Sequence, residues 1–143
     1  MINIGFIYAI GAAVIWGLVY ALDQKILHDI SPIALLFFQS SLSAIVVSPF
    51  LFLGKGPLKG LLAADRPMFA LMIATVLLVT AANFLIFSGI KAMDASMASI
   101  IEIAYPFFVV LFSYFIFGSK PNVYFLIGGA LVFIGSTIII KFA

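Results

Sequence analysis

Apolar runs separated by short polar breaks fill this chain almost from end to end. They fall at Ile4–Leu22, Pro32–Leu53, Met68–Ile90, Ala95–Phe117 and Asn122–Ile140. Each has the length of a helix that crosses a bilayer core, about 20 residues. A chain in lipid must satisfy its own backbone hydrogen bonds, which leaves helices or closed barrels. The runs are about twice as long as a barrel strand, so helices are predicted. The pattern is that of an all-α integral membrane protein with five transmembrane helices. An odd number of spans puts the two termini on opposite sides, and two inverted copies of such a unit make a common transporter architecture.

The breaks predict the connections. Asp23–Ser31 and Gly54–Pro67 read as loops, and Lys91–Asp94 and Gly118–Pro121 as four-residue turns. They leave no room for a soluble domain. Met1–Leu22 lacks the basic start of a signal peptide, and its apolar run is too long for one, so a retained first helix is expected.

Composition changes the picture mainly by exclusion. The chain has 143 residues, 66% of them hydrophobic and 8% charged, against about 25% charged in soluble domains. It has no cysteine, which removes disulfides, thiolate catalysis and sulfur-ligated metals. His28 alone does not make a histidine metal site. No cofactor or metal is expected. A net charge of +2 on scattered basic residues gives no patch that follows a phosphate backbone, so nucleic acid is not an expected partner. The sequence offers no nucleophile–base pair or phosphate loop, and an enzyme is not expected.

Charge balance bears on orientation, which follows Lys and Arg in short loops. One side would carry Lys55, Lys59, Arg66 and Lys120, and the other Lys25, Lys91 and Lys141. Four against three favours a cytoplasmic N-terminus. It also permits insertion in both orientations, a dual topology that would yield an antiparallel homodimer. A single orientation set by the Lys55–Arg66 cluster is the alternative.

Candidate chemistry lies in the polar residues inside the spans. Glu102 is the only acidic residue deep in a predicted span, about 12 Å along its helix. An ionised group there costs at least a few kcal/mol and usually faces a cavity or a partner. Ala95, Ser99, Glu102, Pro106, Val109 and Ser113 share one arc of the helix. Pro106 removes the hydrogen bond to the Glu102 carbonyl and predicts a helix bend there; Tyr105, beside it, is a further candidate ligand contact. On the first helix Ala9, Ala12, Ala13, Trp16, Tyr20 and Asp23 share a face. Trp16 and Tyr20 could hold a cationic or flat ligand, although aromatic residues near the membrane surface are also ordinary belt residues. Gln39 and Asn83 are either cavity residues or interhelical hydrogen-bonding groups. Gly128 and Gly135, and likewise Gly129 and Ser136, recur at seven-residue spacing on the last helix. Such small residues allow close helix approach, within the chain or across a dimer seam.

These features resemble one half of an EamA-type carrier of the drug/metabolite transporter superfamily. Trp16-Gly17 followed by Lys25 is similar to the family's first-helix motif. Ala82–Ile90 and then Ala95–Ser99 resemble its third helix and the small-residue entry to its fourth. Pro106 resembles its mid-helix proline, and Phe117-Gly118 with Gly128–Gly135 its closing block. Two positions depart from the pattern: Ser119 stands where an acidic residue is usual, and Gln39 where an arginine is frequent. The resemblance implies a single five-helix domain over residues 1–143, half of a ten-helix inverted-repeat transporter. It further implies that the chain pairs with itself or with a small paralogue, as the small multidrug members do in antiparallel dimers.

The expected function is a secondary transporter of small organic metabolites or drug-like molecules in the cell (inner) membrane. It would be proton-coupled and work by alternating access. Its substrate- and proton-binding candidates are Glu102, Trp16, Tyr20, Asn83, Ser99, Tyr105 and Gln39, with dimer packing on Gly128, Gly129, Gly135 and Ser136. A non-transporting assembly or packing subunit is the alternative, in which Glu102 is interhelical glue.

Overall fold

Side chains cap the starts of four helices. Ser31 Oγ accepts from the Ala34 N–H at 3.3 Å, and Pro32 supplies a first-turn residue that needs no donor. Asp65 Oδ1 accepts from the Met68 N–H at 2.9 Å. Asp94 Oδ1 accepts from the Met97 N–H at 2.7 Å, and Asn122 Oδ1 from the Tyr124 N–H at 2.9 Å. Each satisfies one of the orphan donors of a helical first turn. Gly118, at φ +65°, turns the chain out of the helix before it, a conformation that glycine adopts without steric cost.

The computed structural model describes residues 4–53 and 56–142. Its helices are α1 (Ile4–Asp29), α2 (Pro32–Phe52), α3 (Pro57–Leu62), α4 (Arg66–Ala92), α5 (Ala95–Glu102), α6 (Tyr105–Phe117) and α7 (Val123–Phe142). Five segments are long and apolar enough to cross a membrane: Ile4–Asp29, Pro32–Phe52, Arg66–Ala92, Ala95–Phe117 and Val123–Phe142. The chain is an all-α, multi-pass membrane protein. Its surface agrees with that solvent. Phe37, Phe117, Tyr124 and Leu53 are largely uncovered, Leu53 at 80%, a distribution that water would penalise and lipid does not.

Two connections differ from the expected ones, and the bend expected in the fourth span is a full break. The helix of the first span continues through Asp23–Asp29 rather than ending at Leu22. No glycine or proline interrupts Asp23–Ile30, and Leu27 is fully buried, so the helix outlasts the apolar run. Its 26 residues span about 39 Å, more than the ~30 Å hydrocarbon core. The expected Gly54–Pro67 loop contains the short helix α3; Gly54 and Lys55 lie outside the described residues. The fourth span is two helices, α5 and α6, separated at Ile103–Ala104.

The residues group into two compact units. One comprises Met1–Leu22 with Ala92–Ala143, and the other Asp23–Lys91. In the first, α5 packs on α7, and Ala95 and Ala98 are buried. In the second, α2 packs on α3, and Leu27, Leu35, Leu36, Phe87 and Ile90 are buried. Lys91 Nζ donates to the Ile30 carbonyl at 3.0 Å, so the end of α4 closes off the turn between α1 and α2.

Proline within α2 shows how the fold handles a lost backbone donor. Pro49 cannot donate to the Ile45 carbonyl, and Ser48 Oγ donates to that carbonyl instead, at 2.9 Å.

The Asp94 cap begins the interrupted span, so its loss is a local test of this architecture. Asp94→Ala is expected to cost about 1 kcal/mol of stability, read as a lower unfolding midpoint in mild detergent. Asp94→Asn, which keeps the acceptor, should lie close to wild type.

Candidate functional site

Glu102 is the last residue of α5. The turn that follows is tight. The Ala104 N–H donates to the Ile101 carbonyl at 3.3 Å, and the Phe107 N–H to the Ala104 carbonyl at 3.0 Å, three-residue closures in place of the helical four. Pro106, in the first turn of α6, has no N–H to give the Glu102 carbonyl. The nearby hydroxyl of Ser99 is used within its own turn, donating to the Ser96 carbonyl at 2.9 Å. The helix therefore breaks where the carboxyl group sits, and a backbone carbonyl there has lost its helical donor.

Tyr20, on α1, meets this point. Its hydroxyl donates to Glu102 Oε2 at 2.6 Å, and the pair is part-buried. That length is a close hydroxyl–carboxyl hydrogen bond. Trp16 lies one turn before Tyr20, with ring centroids 5.6 Å apart and planes tilted by 59°. Its own ring is 52% exposed. Among the described residues the only ion pair is His28 with Asp29, so Glu102 has a phenol and no cation beside it. The arrangement can hold a carboxylate, take a proton on it, or offer it to a positively charged group next to an open indole face.

The remaining candidates divide between the units. Ser99 is half-buried, and Tyr105 is exposed at the start of α6. Both belong to the unit that holds Tyr20 and Glu102. Gln39 and Asn83 belong to the other unit. Asn83 is half-buried on α4. Gln39 Nε2 donates to Asp23 Oδ1 at 2.8 Å. The sequence reading left Asp23 out of the site. Its position on the Trp16–Tyr20 face of α1 was the available signal, and the expected helix end at Leu22 concealed it.

An open, mostly apolar groove of about 890 Å³ lies in the first unit. Ile100, Phe107, Gly128, Gly129, Phe133 and Ser136 are among its lining residues. A methyl group added at Gly128, Gly129 or Gly135 would meet no atom within 4 Å. These glycines therefore do not serve a close helix contact inside the chain. Ser136 Oγ donates to the Val132 carbonyl at 2.9 Å, its bond being internal to α7.

The model of the EamA-like transporter family matches residues 3–141. The chain belongs to the EamA-like transporter family. No curated protein and no solved structure gives a match. Membership places this EamA protein among the membrane transporters of the drug/metabolite superfamily, with a lipid bilayer around it and a small molecule as substrate. The five apolar helices fit a half-size member.

The Tyr20–Glu102 bond is measurable as a coupling. A double-mutant cycle on Tyr20→Phe and Glu102→Ala, each of which removes one partner of the bond, read by unfolding in mixed micelles, should return about 1 kcal/mol, in the upper range of bonds between membrane helices. A coupling of zero would mean that the two side chains do not hold each other.

Proposed function

We propose that this EamA chain is a proton-coupled secondary transporter of small organic molecules, working as a dimer by alternating access, with Glu102 as its exchange site. The observation that carries this reading is the 2.6 Å bond from the Tyr20 hydroxyl to Glu102 at a break in a membrane-spanning segment. A carboxylate held there by a phenol rather than by a cation has one negative charge to offer. A proton and a cationic substrate group compete for it, and occupancy by one releases the other. Trp16 adds a ring face for a flat or positively charged group. Ser99 and Tyr105 lie within one turn of Glu102 in sequence and would complete the polar surface, while Asn83 and Gln39 are candidates from the second unit.

The unfilled glycine face of α7 supports a dimer. Gly128, Gly129, Gly135 and Ser136 would meet their counterparts from a second copy or a small paralogue. The four-to-three distribution of basic residues supports insertion of the two copies in opposite orientations.

Flux into proteoliposomes tests the exchange site. Glu102→Gln keeps the shape and hydrogen-bonding capacity of the neutral acid, so the protein should fold, yet a pH gradient should drive no flux above that of protein-free vesicles. Glu102→Asp keeps the charge one methylene further back and should move the pH optimum while retaining transport. Gradient-driven flux surviving unchanged in Glu102→Gln would make Glu102 a packing residue and favour an assembly subunit.

Orientation has its own test. Two lysines added after Lys141 should trap one orientation and reduce activity, and co-expression of an oppositely biased variant should restore it. Full activity from a population held in a single orientation would rule out the antiparallel homodimer and leave a paralogue as partner.

A further inference from the structure

Asp23 is the most deeply buried ionisable group among the described residues, at 2% exposure. One of its oxygens, Oδ1, accepts from Gln39 Nε2 at 2.8 Å. The other, Oδ2, is buried and has no hydrogen-bond partner. The flanking charges do not answer it. Lys25, His28 and Asp29 follow it on α1, and His28 pairs with Asp29. α2, which carries Gln39, has no charged side chain, and α3 contributes Lys59. Asp65 caps α4, Arg66 begins that helix, and Lys91 near its end donates to the Ile30 carbonyl. None of these makes an ion pair with Asp23 among the described residues.

A bare carboxylate in that position would carry its full charge with a single neutral amide for solvation, and buried charge without a partner is strongly disfavoured. A carboxylic acid keeps the bond from Gln39 at Oδ1 and carries its hydrogen on Oδ2, so the buried group is neutral. We propose that Asp23, held by Gln39, is a proton-binding site of this chain, separate from the exchange site assigned to Glu102. Loading adds one proton from water to Oδ2 and converts the carboxylate to the acid; unloading returns that proton to water. The chain then carries two proton sites, each with its own partner: an amide donor at Asp23 and a phenol at Glu102.

Infrared spectroscopy of the full chain in bilayers at neutral pH reads this directly. A protonated-carboxyl band should be present and should shift when the protein is labelled with a heavy isotope at the aspartate carboxyl carbon. It should vanish in Asp23→Asn and persist in Glu102→Gln, so it survives even if the transport role of Glu102 is wrong. Gln39→Arg supplies a cation beside the carboxylate and should also abolish the band. The isotope shift needs no substitution and assigns the band to an aspartate rather than to Glu102. If Asp23→Asn does not fold, persistence of the band in Asp29→Asn, Asp65→Asn and Asp94→Asn assigns it to Asp23, and its loss in any of these would overturn the proposal. A spectrum with no aspartate-dependent band would overturn the proposal, as would a band that remains in Asp23→Asn. Stabilisation by sodium with no such band would replace the proton by a metal cation and equally overturn it.

Discussion

A bilayer core offers no hydrogen bonds to a peptide backbone, and every other feature of this protein follows from that deficit. It forces five helical crossings. It also makes each lost backbone donor a local problem that some group must answer. The two prolines well inside spans show two answers. At Pro49 the neighbouring Ser48 hydroxyl takes over the freed Ile45 carbonyl. At Pro106 the preceding residue is Tyr105 rather than a serine, the helix parts at Ile103–Ala104, and Glu102 stands at the parting. Non-helical backbone at membrane depth is tolerated where it lines a cavity or is covered by protein. Glu102, the one acidic side chain deep in a predicted span, is the residue at this break.

Partner chemistry separates the two notable carboxyl groups of the chain. Glu102 is part-buried and receives a hydroxyl proton from Tyr20, a donor that leaves the charge uncompensated by any cation. Asp23 is almost fully covered and receives an amide hydrogen from Gln39 on one oxygen only. Neither is neutralised by lysine or arginine among the described residues. Under the two proposals above, Glu102 exchanges a proton for a substrate's cationic group, and Asp23, covered as it is, takes a proton alone.

Hydropathy made the spans legible because the same property that drives insertion is written into composition. It was a poor guide to helix ends. Asp23-Gln24-Lys25 reads as a loop by polarity, but these residues contain no helix breaker, and α1 runs on through them to Asp29. α3 was invisible because six residues carry too little periodicity to separate a helix from a loop. Glu102 and Tyr20 were each legible, one as a misplaced charge and the other as part of an aromatic stripe. That they bond to each other across 82 positions was not, because a single sequence fixes faces of helices but not which faces meet. Gln39 was legible as a polar intruder, and its partner was hidden by the misplaced helix end. The glycines of α7 were legible as a packing face, and the structure adds that none of the described residues fills it.

The central claim is that a proton and a cationic substrate group compete for Glu102. Proton release on binding is its most direct measure. A lipophilic quaternary ammonium selected by thermal shift is titrated into the purified full chain in weak buffer with a pH indicator. The account predicts that binding expels protons, and that Glu102→Gln abolishes the release. Binding with no release from the wild type, or with the same release from Glu102→Gln, would contradict it.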